Sequence, residues 1–368
     1  MEEDKLKILM TADTLGGVWN YALTLSKCLA PYNVEIHLAT LGRTLSDKQK
    51  AEVKKVSNVI IYESSFKLEW MPLPWEDVEL AKTWLIDLYK EIQPDLIHFN
   101  NFGQVLHRWD CPIVTVFHSC VMTWWKAVYG HEPEALQWKT YRQKVEEALS
   151  LSNMVIAPSY AILQQAKTVY NIYSPSMVIP HGTEELDFPY LPKEPLIFCA
   201  ARLWDESKNI RALDKIAPYI DWPIYVAGDL NDPVTGKTFT ADNIHLLGNI
   251  ERNELAAWLQ KAIIYTQPSL YEPFGLGVLE AASHGCTLIL QNQPTFRELW
   301  NDAACFVDFK NPEEAIAKFN QIINNGLVLQ NLSFKAKKRS KLYNVLQMAE
   351  KYISLYHYLI KSHKPLTS

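Results

Sequence analysis

The segment Ile263-Ile264-Tyr265-Thr266-Gln267-Pro268-Ser269-Leu270-Tyr271-Glu272-Pro273-Phe274-Gly275-Leu276-Gly277-Val278-Leu279-Glu280-Ala281-Ala282 decides how the chain is read. Its first four residues form a short apolar strand, and Gly275 to His284 carries a helical pattern. The loop between them holds one carboxylate and leads into glycine. The first amides of a helix have no internal partner, and the macrodipole turns its positive end toward them. A glycine-bearing loop feeding a helix start is therefore an anion site. Glu272 and Glu280, eight positions apart, add a second requirement. Phosphate on the amides and sugar or ribose hydroxyls on the carboxylates would satisfy both.

The surrounding half repeats the strand-loop-helix pattern. Leu196 to Ala200 reads as a strand, and Arg202 and Lys208 flank the polar turn after it. A planar guanidinium and a mobile ammonium in that place would clamp a diphosphate, although a solvated loop accounts for the same residues. Pro223 to Ala227 is a strand ending at Gly228-Asp229, Asn231 to Asp242 a polar loop, and Ile244 to Leu247 a short strand. A helix over Glu251 to Lys261 leads into the opening segment. Cys286 to Leu290 and Cys305 to Val307 are strands around a helix from Pro294. Pro312 onward is helical, and residues 342–361 are long and amphipathic.

The first half has the same alternation. Leu6 to Ala12 is a buried strand that runs into Gly16 and Gly17 and then a helix. These glycines let a ligand approach the helix start. The dinucleotide fingerprint is incomplete, so a tight structural turn remains an equal reading. Strands follow at Val34 to Thr40, Val59 to Tyr62, Pro94 to Asn100, Pro112 to Ser119, Met154 to Ala157 and Ser176 to Ile179. Ligands of open α/β sheets bind beyond the carboxyl ends of strands, which is where Asn100, Asn101 and His118 fall. A structural histidine is the alternative there. The aromatic run Trp124, Trp125, Tyr129, Trp138 and Tyr141 suits either a core face or a sugar-binding surface. Pro180 and His181 open a proline-dense stretch with Pro189, Pro192 and Pro195, where periodicity stops. The expected division is 1–182, then 193–344, with helix 345–368 joining the first part. Strands alternating with helices imply an α/β protein with parallel sheets.

The 368 residues suffice for two cores, and the formal net charge of −5 without a basic run argues against a nucleic-acid surface. Six cysteines without paired metal spacing read as buried reduced thiols of a cytoplasmic protein. The start, Met-Glu-Glu-Asp-Lys, is unlike a signal peptide. No apolar run reaches the ~18 residues of a transmembrane segment, which leaves peripheral membrane contact open.

With both halves in view, the chain resembles the retaining glycosyltransferases of family 4, in the glycogen-synthase and mannosyltransferase group, and the resemblance covers nearly all of it. Glu272-Pro273-Phe274-Gly275-Leu276-Gly277-Val278-Leu279-Glu280 is similar to the family's paired-glutamate signature. Arg202-Leu203 with Lys208-Asn209 is similar to its diphosphate clamp, Asp13 to Trp19 to its glycine loop, and Phe117-His118 to its histidine segment. The resemblance implies the GT-B fold: two Rossmann-like domains facing a cleft, with a C-terminal helix crossing back. It also implies roles. Glu272 would contact the donor hexose, and Phe274, Gly275 and Leu276 would offer amides. Glu280 would hold the ribose, and Leu247 would lie near the base. Arg202 and Lys208 would neutralise the leaving diphosphate, and Gly16 and Gly17 would close over the phosphates. His118 would touch donor sugar or acceptor, with Trp124, Trp125 and Tyr129 on the acceptor side. His181, Glu184, Asn209 and Thr287 depart from the common pattern without removing a charged donor contact.

The expected activity is transfer of a hexose from a UDP-, GDP- or ADP-linked donor to a sugar, lipid-linked or small-molecule acceptor. Fixed cations stabilise the departing charge, so no metal or other cofactor is expected. Competing readings are another GT-B enzyme, such as an epimerase, and a non-catalytic nucleotide-sugar binder.

Overall fold

The computed structural model describes residues 5–184, 191–232 and 235–363. Met1 to Asp4, Pro189 and residues 364–368 lie outside them, as do Pro233 and Val234 of the polar loop. The chain runs β1 (Leu6–Asp13), α1 (Gly17–Leu29), β2 (Val34–Leu41), α2 (Asp47–Val53), β3 (Val59–Tyr62), α3 (Trp75–Ile92), β4 (Leu96–Phe99) and β5 (Ile113–Val116). Then come α4 (Val121–Tyr129), α5 (Leu136–Leu151), β6 (Met154–Ala157), α6 (Tyr160–Val169) and β7 (Ser176–Val178). The second series is β8 (Glu194–Ala200), α7 (Ile210–Ile216), β9 (Ile224–Ala227), β10 (His245–Gly248), α8 (Arg252–Lys261) and β11 (Ala262–Gln267). It continues with α9 (Leu276–Ser283), β12 (Thr287–Gln291), α10 (Pro294–Trp300), β13 (Ala304–Val307), α11 (Pro312–Ile323) and α12 (Gly326–Ser340). The last helix is α13 (Val345–His363).

These elements form two units: residues 1–123, 132–181 and 345–368 make the first, and 124–131 with 182–344 the second. Among the described residues the first holds a seven-stranded sheet in the order β3-β2-β1-β4-β5-β6-β7. Every pair is parallel. Central strands covered by helices on both faces must be apolar along their whole length. Accordingly Ile8 to Met10 on β1 and Ile36 and Leu38 on β2 are fully buried. Helix α13 belongs to this core. Val345, Met348, Ala349, Tyr352, Tyr356 and Leu359 recur at helical spacing and join the cluster of β1, β2 and α1. Each such large side chain removed from water stabilises by about 1.5–3 kcal/mol.

The second unit holds a six-stranded parallel sheet, in the order β10-β9-β8-β11-β12-β13 among the described residues. Its cores lie on the two faces, around Leu213 and Phe319 on one and Phe296 and Trp300 on the other. In both sheets the strand order reverses once, between β1 and β4 and between β8 and β11. That reversal opens a crevice beyond the carboxyl ends of the two strands. The loops that follow these strands carry the residues singled out above.

The tail expected to be helical from Pro312 onward is three helices, α11, α12 and α13. Asn325 accepts from the Val328 amide and caps α12, which starts a new axis. The aromatic run is likewise two helices, separated at Gly130, whose φ of 81° is outside the helical range. Strand β4 begins at Leu96 because Asp95 caps its entry, its carboxylate accepting from the Lys7 amide at 2.9 Å. All six cysteines are free, five of them buried. None of the described helices is long and apolar enough to cross a membrane.

Candidate active site

In the second unit the loop after β8 is built on Asp205. This buried carboxylate accepts at Oδ1 from the Ser207 amide (3.0 Å), the Ser207 hydroxyl (2.7 Å) and Trp124 Nε1 (3.2 Å). Its Oδ2 accepts from Arg202 Nη2 at 2.8 Å. Burial alone would push the Asp205 carboxyl up. Arg202, Lys208 and the hydrogen bonds from Ser207 and Trp124 outweigh it and hold the group below its ordinary value. A short 3-10 turn over Glu206–Lys208 then ends at Asn209, whose φ of 53° turns the chain into α7. The turn places Lys208 inward, 9% exposed, while Arg202 stays half-exposed against the Trp204 ring.

The loop after β11 meets this turn. The Leu270 amide donates to the Ser207 carbonyl at 2.8 Å, and Lys208 Nζ lies 2.7 Å from Glu272 Oε2. Three residues on, Gly275 caps α9 with φ 89°. A side chain is excluded there by conformation and by space, since a Cβ would stand 3.1 Å from Phe296 and 3.4 Å from Glu272. Gly275 has no side chain with which to cap α9, so the helix start is suited to an outside acceptor. Phe274 is buried edge-on against Tyr343, which anchors the loop just before the helix. Leu276 and Glu280 are one turn apart on α9, both half-buried. Burial pushes the Glu280 carboxyl up, and Arg252 opposes this. Leu247 sits half-buried on β10, where the register with β9 shifts at Gly248.

Thus the structure brings Arg202, Lys208, Glu272 and Gly275 together at the reversal of one sheet, with Glu280 on the helix that follows. Trp124, Trp125 and Tyr129 form one aromatic cluster, with ring centroids 4.8–6.1 Å apart. They fold with the second unit, against the loop of Arg202 and Lys208. The Tyr129 hydroxyl donates to Glu206 Oε2 at 2.7 Å, and burial together with Glu206 pushes its pKa up to about 12. Asp205 and this link to Trp124 were missed in the sequence. An aspartate in a charged loop carries no signal of which cation it will hold.

The first unit gathers a separate group. Gly16, with φ 109°, is the N-cap of α1, and Gly17 starts that helix with open space where a Cβ would be. His118, beyond β5, bonds through Nε2 to Asn100 Oδ1 at 2.7 Å. The ring of Tyr21 on α1 stands edge-on to His118 at 4.7 Å and lies 4.6 Å from His181. The Tyr21 hydroxyl donates to Tyr352 at 2.6 Å, and His98 Nδ1 lies 2.6 Å from the Tyr356 hydroxyl. Burial pushes His98 and His181 down to about 3, and burial with both neighbours pushes His118 well down. This is a cluster of neutral imidazoles backed by α13. Tyr21, Tyr352 and Tyr356 gave no sequence signal beyond helical spacing.

Residues 15–185 match the family described as Glycosyltransferase Family 4, and residues 185–339 match Glycosyl transferases group 1. The fold is that of sucrose-phosphate synthase from Thermosynechococcus elongatus, with TM-score 0.81 and 16% identity over 97% of this chain and 100% of that one. The chain belongs to the GT-B glycosyltransferases. Among solved GT-B structures, Anabaena Alr3699/HepE in complex with UDP and glucose superposes with TM-score 0.74. That likeness has 13% identity and covers 96% of this chain and 100% of that one. A phosphatidyl-myo-inositol mannosyltransferase of Propionibacterium freudenreichii is 23% identical over 245 residues, 60% of this glycosyltransferase. The match spans 58% of that relative's length.

Proposed function

We propose that this glycosyltransferase moves a hexosyl group from a nucleoside diphosphate sugar to an acceptor hydroxyl, with retention at the anomeric carbon and without a metal ion. The observation that carries the reading is the Lys208–Glu272 pair beside Arg202 at the sheet reversal. Before ligand arrives, Glu272 neutralises a lysine that burial would otherwise penalise. A diphosphate would take over the charge of Lys208 and Arg202 and the amides of α9. Glu272 would then be free to accept from sugar hydroxyls, and Glu280 from the ribose. As the glycosidic bond breaks, negative charge grows on the leaving phosphate, where the two cations and the helix start stabilise it. Front-face attack would let that phosphate take the acceptor proton. His118 and its cluster are assigned to hydroxyls of a bound sugar. The UDP and glucose bound by the HepE neighbour and the mannosyltransferase named above are consistent with a nucleotide-sugar donor.

The test is a screen of UDP-, GDP- and ADP-linked hexoses by thermal shift, followed by turnover with and without a chelator. One donor should raise the melting temperature and be hydrolysed or transferred at an unchanged rate in chelator. Stabilisation by none of them would refute the donor site. Loss of turnover in chelator, restored by manganese, would refute metal independence.

A further inference from the structure

Asn100 sits just past β4, and its side-chain orientation is fixed from behind. Asn100 Nδ2 donates to the Thr11 carbonyl at 2.7 Å, and the Asn100 amide donates to Thr11 Oγ1 at 2.9 Å. A carbonyl can only accept, so the amide nitrogen must face β1 and Oδ1 must face His118. Oδ1 can only accept in turn, and it lies 2.7 Å from His118 Nε2. The proton of the neutral ring is therefore on Nε2, and Nδ1 carries the lone pair. Nδ1 has no hydrogen-bond partner among the described residues, and the ring is half-buried rather than sealed.

We propose that Asn100 is a positioning residue: it locks His118 in the Nε2–H tautomer, so that Nδ1 is a fixed hydrogen-bond acceptor for a hydroxyl of the bound sugar. The lock rests on the glycosyltransferase reading for its ligand, but the tautomer follows from Thr11, Asn100 and His118 alone. It also sets a chemical preference. An acceptor nitrogen in a neutral ring welcomes a hydroxyl and repels a phosphate or carboxylate oxygen. The titratable groups facing His118 are Tyr21, His98 and His181, with Tyr352 and Tyr356 behind them. The imidazoles among them are held neutral by burial, so none supplies a counter-ion that would charge the ring.

Two measurements test the lock. Two-bond proton–nitrogen correlation spectra of the nitrogen-15-labelled full chain, with His118→Asn for assignment, read the tautomer without any ligand. A neutral Nε2–H ring at pH 7, turning to mixed tautomers in Asn100→Leu, is expected. An Nδ1–H ring, an imidazolium, or an Nε2–H ring unchanged in Asn100→Leu would overturn the proposal. The second uses Asn100→Asp, whose carboxylate favours the imidazolium. With the donor found by the screen, its activity should recover at least fivefold as pH rises from 6 to 8, relative to the parent profile. A uniform loss at every pH would mean that Asn100 serves only the fold. A screen that finds no donor refutes the transferase reading and leaves the tautomer result standing.

Discussion

Lys208 Nζ stands 2.7 Å from Glu272 Oε2, so two opposite charges of the candidate site compensate each other. The side chains come from loops after different strands, β8 and β11, and only the sheet order makes them neighbours. Lys208→Ala should lower kcat/KM at least tenfold, since a charge contact made in the transition state is worth about 1.4 kcal/mol or more. It should also destabilise the second unit by about 1–3 kcal/mol, because Glu272 is left without its partner. Lys208→Met with Glu272→Gln should recover part of that stability and none of the activity. Denaturant melts and initial rates on the two variants decide this, and parent-like turnover in Lys208→Ala would refute the clamp.

Asp205 orients Arg202 and is itself held by Trp124 Nε1. Trp124→Phe keeps an aromatic side chain, smaller than the indole, and removes that donor. A drop of about 1 kcal/mol in stability is expected. A several-fold rise in donor KM should accompany it, as Arg202 loses its fixed partner geometry. An unchanged KM with lowered stability would restrict Trp124 to packing.

Gly275 has φ 89° with Phe296 and Glu272 crowding the place of a Cβ. Gly275→Ala should cost about 1–3 kcal/mol and weaken donor binding, because the strained residue sits between Glu272 and the amides of α9. Isothermal titration of the matching nucleoside diphosphate measures the second effect, and full-affinity binding by the variant would contradict it.

His98 and His181 are pushed down to about 3 by burial, against an ordinary value of 6.5. A folded value below the unfolded one means that the unfolded chain binds more protons across this window. Stability is then complete above about 6.5, falls as pH drops and reaches its floor near 3. Melting temperature followed from pH 8 to 4 should fall, and His181→Asn should flatten that slope. A slope independent of both histidines would contradict neutral burial.

The Tyr21–Tyr352 bond ties α1 to α13. Tyr352→Phe should cost about 0.5–1.5 kcal/mol in the first unit, with the ring still packed. Equilibrium unfolding measures this, and a gain in stability would count against a satisfied hydrogen bond.

Much of the fold was legible because parallel strands declare themselves as unbroken apolar runs. Leu6 to Ala12 and Ile263 to Thr266 are placed within a residue or so of β1 and β11, and Gly275 and His284 flank α9. Glycine and carboxylate spacing around α9 marked that loop as an anion site from local chemistry alone. Asn100 was marked by its place at a strand end, but its pairing was not legible, and neither were Asp205 and Tyr352. Their partners Arg202, His118 and Tyr21 are chosen by side-chain direction after the sheets close. Linear spacing holds no record of which amide oxygen faces which imidazole. The break between α11 and α12 was not legible, because Asn324 and Asn325 are compatible with a helix surface.

Synthesis runs from the amino end, yet α13 completes the core of β1, β2 and α1. Everything from Gly182 to Asn344 must leave the ribosome before that helix exists. At ordinary elongation rates the wait is on the order of ten to thirty seconds. The first unit to emerge is the last to close, and in the interval the apolar residues that α13 covers stay open to water.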